Sequence, residues 1–401
     1  MSKLEKKTSI VKYKLLYTFL ILLLYLAGRE IPLYGIDTAA YIDKTISAED
    51  LLMQIIGGDT YRYSLFAIGV SPYMLSSIFI QVYAAYKKAG TNERVSMQKM
   101  NKMILAGTLL IAVIQAAFHV RELEYKAVGK ELLLAQGITV LQMVTGVMII
   151  LWLSERNRKY GIGGQTALIY MNIIDGIVAT LQGHTLKEMG LPLVISAAVV
   201  LVIVFMENAE FRIPLQRISI HNIYADKNYL AIKLNPIGTM PVMFSTAFFM
   251  LPQLIGTGLA MLFPGSERIA WWNENMVLTK PLGIGVYIGI IYVLTIVFSF
   301  ILVNPKELTE QFLKSGDCLL NIHAGRDTRR YLAGKLCIIS FFSATIMSMC
   351  LGVPLLLQYR GSMESTLVML PSSMMLLTGM WCTLGREYQA IKSFDSYRMF
   401  I

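Results

Sequence analysis

An all-α membrane protein with ten transmembrane helices is the fold class that the sequence predicts, and three observations carry that prediction. Hydrophobic residues make up 55% of the 401-residue chain and charged residues only 15%, a balance that leaves a soluble domain too little polar surface to cover itself. Apolar runs about 20 residues long, enough to cross a bilayer as a helix, recur along the chain. The charges are also sorted, with most of the 36 Lys and Arg lying in alternate connections between those runs.

The runs fall at Leu15 to Ala27, Leu65 to Tyr86, Met103 to Val120, Ile138 to Leu153, Gln165 to Leu181, Leu191 to Met206, Ile237 to Phe263, Leu282 to Val303, Leu332 to Leu351 and Thr366 to Leu384. No connection is long enough for a separate soluble domain. A formal charge of +10 suggests a nucleic-acid partner until its distribution is considered. With the N-terminus in the cytosol, the basic excess lies on the cytosolic side while the acids divide about evenly. This is the positive-inside pattern, which places both termini in the cytosol and leaves no nucleic-acid footprint. Cys318, Cys337, Cys350 and Cys382 show no CxxC spacing, so neither a disulfide framework nor a metal site is expected. The first run follows a basic arm as a signal peptide would, but REIPLYGID after it has no small-residue cleavage site, so a retained helix is expected.

Between the first two runs, SAEDLLMQIIGG reads as a short amphipathic helix, with Ser47 as N-cap and Gly57 and Gly58 as its stop. It is too short to span, and either lies in the headgroups or folds back between the spans. The second run holds Gly69, Ser71, Pro72, Ser76, Ser77 and Gln81. A helix that only sits in lipid gains nothing from them. Proline at mid-span is expected to bend the helix, and the small residues to admit another helix or water.

Asp175 lies near the middle of the fifth run. A carboxylate at that depth costs roughly 3 kcal/mol or more against lipid, so it should face water or a polar neighbour. With no intramembrane His or Lys partner, a wet lining position is favoured over a proton relay. Residues 208–236 alternate apolar and polar side chains on either side of Ala225 to Asn228, the pattern of a β-hairpin. Residues 304–330 begin with a capped helix and end in Arg326, Arg329 and Arg330. Two such loops suit a docking surface for a soluble partner, although basic loops also follow from topology alone.

Taken together, these segments resemble the SecY protein-conducting channel family. The points of contact are IPLYGID, GGDTYRYSLFAIGVSPYMLSSIFIQ, YGIGG, RIPLQ, KLNPIGTMPVMFSTAFFMLPQLI and NPKELTEQFLKSGDCLLNIHAGRDTRRYL, in that order on ten spans. The resemblance implies two pseudo-symmetric halves, residues 1–185 and 186–401, around a central pore, with a lateral gate between spans 2 and 7. It implies a pore ring at Val70, Met74, Tyr170, Ile174 and Met243, with a contribution from Met380 or Trp381. The family's ring is mostly isoleucine, but any narrow apolar collar hinders ions while letting an extended peptide slide, and methionine moulds to varied shapes. By position alone, ordinary helix packing explains these side chains equally well.

The resemblance further makes residues 47–58 a plug, including Leu51, Leu52, Ile55, Ile56, Gly57 and Gly58. It assigns docking of a cytosolic SecA-like motor ATPase, or of a ribosome, to the two loops, through Arg212, Arg217, His323, Arg326, Arg329 and Arg330. Where the family carries arginine before Pro-Gly, this chain has His323 before Ala324 and Gly325, and neutral imidazole cannot replace a forked guanidinium. That departure, the altered collar and the short loops are most like the accessory-Sec branch of Gram-positive bacteria. Its channels work with a dedicated motor and accessory proteins, and export glycosylated serine-rich adhesins.

The expected protein is thus a plasma-membrane channel that conducts unfolded or glycosylated polypeptide, with possible small SecE/SecG-like subunits and no cofactor. Having no GxxxxGK[ST] phosphate loop, it depends on a partner for ATP hydrolysis. The alternatives are a general SecY channel and a secondary transporter coupling protons through Asp175. An enzyme is not expected, because HExxH, GxSxG and paired acids at membrane depth are all missing from the sequence.

Overall fold

The computed structural model describes residues 10–37, 63–91, 96–126, 129–182, 184–217, 229–263, 265–320, 322–361, 363–364 and 366–397. The plug segment at 47–58 and the hairpin tip at 225–228 lie outside the described residues.

The helices are α1 (Ile10–Arg29), α2 (Ser71–Thr91), α3 (Met97–Glu122), α4 (Lys130–Tyr160), α5 (Gln165–Gln182), α6 (Leu186–Asn208), α7 (Met240–Leu262), α8 (Glu267–Asn275), α9 (Pro281–Val303), α10 (Pro305–Ser315), α11 (Arg326–Tyr359) and α12 (Met369–Tyr397). Three strands, β1 (Glu210–Arg217), β2 (Tyr229–Lys233) and β3 (Asp317–Leu319), complete the described elements. Among the described residues, seven helices are long and apolar enough to cross a membrane: α1, α3, α4, α6, α7, α9 and α11. The chain is a multi-pass, mostly helical membrane protein.

The chain divides into two compact units, Met1–Leu191 with Glu364–Ile401, and Pro192–Met363. The last helix thus packs within the first unit, against α5 and α1. In that unit a buried cluster of Leu33, Ile36, Ala67, Ile68, Ala112, Ala116, Val120, Leu123, Met143 and Val147 joins the segment before α2 to α3 and α4. Tyr25 and Phe66 stack with centroids 5.5 Å apart, and Gly28 leaves the room that the Phe66 ring fills.

The YGIGG motif is a tight turn at the end of α4. Gly163 and Gly164 take the left-handed backbone that glycine alone adopts without strain. Fully buried Asn157 donates to the Ile162 carbonyl at 3.0 Å and the Gly164 carbonyl at 2.9 Å. It also accepts from the Thr18 hydroxyl of α1 at 2.9 Å.

The second apolar run differs from the sequence expectation. It is not one helix from Leu65 with Pro72 bending its middle. Residues 65–70 form turns, Gly69 has φ of 62°, and α2 starts at Ser71. Proline there stands in the first helical turn, where its missing N–H and fixed φ cost nothing and favour initiation. The turn segment instead pairs with the chain after α1, through Leu33 N to the Tyr63 carbonyl and Leu65 N to the Ile31 carbonyl, both at 2.9 Å.

In the second unit, β1 pairs antiparallel with β2 over Glu210 to Pro214, then with β3 over Leu215 to Arg217. Pro214, which has no N–H to give a ladder, stands where β1 passes from one partner to the other. The hairpin follows the sequence expectation, whereas the third strand was not anticipated. Ile213, Ile232 and Leu319 from the strands pack with Leu332 and Ile339 of α11. Asn304, left-handed at φ of 37°, ends α9 and caps α10, accepting from the Glu307 amide at 3.4 Å.

Candidate pore lining and extramembrane docking face

Val70 closes the turns before α2, and Met74 stands one turn further on, its amide donating to the Val70 carbonyl at 3.1 Å. The two side chains share a face, and both are buried. The small residues beside them meet another helix. Ser71 donates to the Gln115 side chain of α3 at 2.9 Å, and Ser76 to the Ile104 carbonyl at 2.8 Å. Gly107 of α3 makes room for Ser76, so much of the polar content of this run serves helix packing.

On α5 the buried face is Leu168, Ile169, Asn172, Ile173, Gly176 and Ile177. Tyr170 and Ile174, one turn apart, are only half-buried. The Tyr170 ring lies 6.3 Å from that of Trp381 on α12. Trp381 is largely exposed and Met380 buried, so of these two candidates Trp381 is the one beside Tyr170. Met243 belongs to the second unit. It is buried on the first turn of α7, and its carbonyl accepts from the Thr246 hydroxyl at 2.6 Å.

Asp175 has a cationic partner that the sequence expectation did not supply. Its carboxylate pairs with the Arg29 guanidinium at the end of α1. One turn before Asp175, Asn172 accepts from the buried Tyr25 hydroxyl at 2.8 Å, and Arg29 also stands over the Tyr25 ring. The separation of 146 residues between Arg29 and Asp175 hides the pair from any local pattern.

The docking candidates cluster around the sheet. Arg212 is exposed, stacks on Tyr229 with Cζ 4.6 Å from the ring, and pairs with Glu210 at 3.7 Å. Arg217 stands opposite Asp317 in the β1–β3 register. His323 is exposed, and its carbonyl accepts from Thr328 at 2.9 Å. Arg326, Arg329 and Arg330 sit in the opening turns of α11, all exposed and on one face, while Thr328, Leu332 and Leu336 face inward. Lys335, beyond them, lies over Phe211 and Tyr331.

A buried polar chain in this unit also escaped the sequence analysis. Asn235, of the KLNPIG segment, donates to Glu207 at 3.1 Å and accepts from Ser343 of α11 at 3.2 Å. All three are almost completely buried. Gly238, at φ of 73°, lets the backbone pass beside Glu207. A glutamate placed at the end of an apolar run was the available signal.

Comparisons with known proteins place the chain in a family. The family model described as SecY matches residues 64–382. An accessory Sec system protein translocase subunit SecY2 of Streptococcus sanguinis is 28% identical over 403 residues, covering 98% of each chain. A subunit of the same description from Streptococcus agalactiae is 30% identical over 401 residues, covering 97% of this chain and 96% of that one. Among solved structures, one described as a protein conducting channel superimposes with a TM-score of 0.65 at 17% identity, over 98% of this chain and 95% of the other.

Proposed function

This chain belongs to the SecY family, whose members are protein-conducting channels and not enzymes, and we propose that it is the channel subunit of an accessory Sec translocase. The observation that carries this reading is likeness over almost the full length of both chains to channel subunits of that accessory system. On this reading the substrates are a restricted set of exported proteins, glycosylated serine-rich adhesins among them, and the driving force is ATP hydrolysis by a dedicated SecA-like motor. SecE/SecG-like subunits and accessory Sec proteins are the further partners, and the plasma membrane is the location, with both termini in the cytosol.

Ten spans in two halves fit the ten helices of 18 residues or more among the described residues. In this arrangement α2, α5 and α12, which lack the continuous apolar stretch of the other seven, line the channel. Val70, Met74, Tyr170, Ile174 and Met243 form the collar, residues 47–58 the plug, and α2 and α7 the lateral gate. The sheet and the start of α11 face the motor. Cations at a helix N-terminus oppose its dipole, so Arg326, Arg329 and Arg330 gain most from an anionic surface brought to them. The pairing of Asp175 with Arg29 supports a positioning role for this carboxylate over proton coupling. Deleting the gene tests the reading: loss of one surface adhesin with general secretion intact supports it, and loss of general secretion points to a housekeeping channel.

A further inference from the structure

Helix α8 has no buried residue, yet it is tethered between two helices that each qualify as membrane spans. Four residues separate it from α7 and five from α9, and a four-residue link reaches at most about 14 Å. The helix therefore stays at the level where α7 and α9 leave the bilayer. It is at the end of α7 opposite the sheet, since the sheet joins α7 at its start.

Its attachment to α7 is specific. Gln253 donates to the Met276 carbonyl that follows α8 at 3.0 Å. Gly256 leaves room for the Asn273 side chain and for the edge of the Trp272 indole, both of which a Cβ there would crowd. Arg268, Trp271 and Trp272 stand at i, i+3 and i+4, so they share one face. All three are exposed, the two indoles by 55% and 40%. Exposed Ile255, Leu259 and Phe263 carry the apolar surface of α7 up toward this helix.

We propose that α8 is an interfacial lipid anchor. The Arg268 guanidinium binds lipid phosphate, and Trp271 and Trp272 lie at the boundary between headgroups and acyl chains. Indoles favour that boundary because it wets the N–H while burying the ring. The occupant is the phospholipid surface because the aromatic–cationic face is continuous with the exposed apolar side of a membrane-spanning helix and is held at headgroup depth. Through Gln253 and Gly256 the anchor fixes the far end of α7, so that movement of α7 must drag α8 through the headgroups or bend the joint between them.

The test uses the full-length protein in phosphatidylglycerol–phosphatidylethanolamine vesicles. The chain has four tryptophans, and Trp152→Phe with Trp381→Phe leaves emission from Trp271 and Trp272 alone. Lipids brominated near the carbonyls should remove more of that emission than lipids brominated near the chain ends, and Arg268→Ala should lessen the loss. Quenching by aqueous acrylamide with no effect of brominated lipid would overturn the proposal by leaving the face in water. Protection from both quenchers would overturn it too, because a protein surface would then cover the indoles. If the double phenylalanine variant does not fold, the difference between wild type and W271F/W272F gives the same readout.

Discussion

Arg29 at the end of α1 and Asp175 in the middle of α5 form an ion pair within the first compact unit, the arginine 3% exposed and the aspartate 33%. It joins the first helix of the chain to a helix that carries two collar candidates. Such a pair offsets desolvation only while both partners are present. It therefore acts as a positioning contact for α5, whose open face bears Tyr170 and Ile174.

Breaking the pair should be more harmful than replacing it. Removal of one partner from a buried pair costs about 3–5 kcal/mol, whereas an apolar replacement of both is often close to neutral. Because Arg29 is the deeper member, Asp175→Leu, which removes the carboxylate from beside the buried cation, should lower the thermal midpoint more than Arg29→Met. The double variant R29M/D175L should recover most of the loss. Melting curves of the four proteins in detergent decide this, and additive losses would show that the two residues do not act as a pair.

Cysteine placed at Val70, Met74, Tyr170, Ile174 or Met243 should crosslink to a polypeptide stalled during export. Residues such as Leu201 and Phe205, exposed on the apolar helix α6, should not. Substitution of the collar positions by serine should raise ion leakage through vesicles, because wetting a narrow apolar constriction removes its barrier to ions. Crosslinks confined to the α6 controls would exclude these five residues from the channel.

What the sequence showed and what it hid follow from the range of each interaction. The α9 run, expected from Leu282 to Val303 and found from Pro281–Val303, was legible because apolar length and a Pro start are local signals. The cap at Asn304 and the hairpin at 208–236 were legible for the same reason. The start of α2 was not, because the same apolar composition serves a turn and a helix, and Pro72 fits either a bend or a first turn. Strand β3 has only three residues, too few to show an alternation, and is fixed by Leu319 packing with Ile213. The partners Arg29 and Asp175, like Glu207 and Ser343 about Asn235, meet only in three dimensions.

The Asn235 bridge predicts a local weakness at the start of α7. Asn235→Ala takes the amide from between Glu207 and Ser343, leaving buried polar atoms short of a hydrogen bond at about 1–3 kcal/mol. Gly238→Ala forces a Cβ into the left-handed region, at about 1–2 kcal/mol, and toward Glu207. Each should lower the thermal midpoint, and the two together should not add fully, since they touch the same carboxylate. Full additivity would mean that Gly238 acts through its backbone alone.

Arg326, Arg329 and Arg330 allow stability and function to be separated. Each cation lies near the positive end of the α11 dipole, an arrangement that costs about 0.3–1 kcal/mol at an exposed helix end. Their side chains are exposed, while the core beneath them is Leu332 and Ile339 with Ile213, Ile232 and Leu319. Replacing all three with glutamate should thus leave the melting temperature unchanged or slightly raised, since acidic groups suit that helix end. Membrane insertion should also be intact. If the three arginines dock an anionic surface of the motor, the same variant should lose export and motor binding, and motor binding to the wild type should weaken steeply with salt. His323, exposed beside them, lacks the forked guanidinium that pairs with carboxylates, so His323→Ala should cost far less than any one charge reversal. A triple variant that binds the motor and exports normally would leave the arginines as topology signals only, and would move the docking site to the strand residues around Arg212.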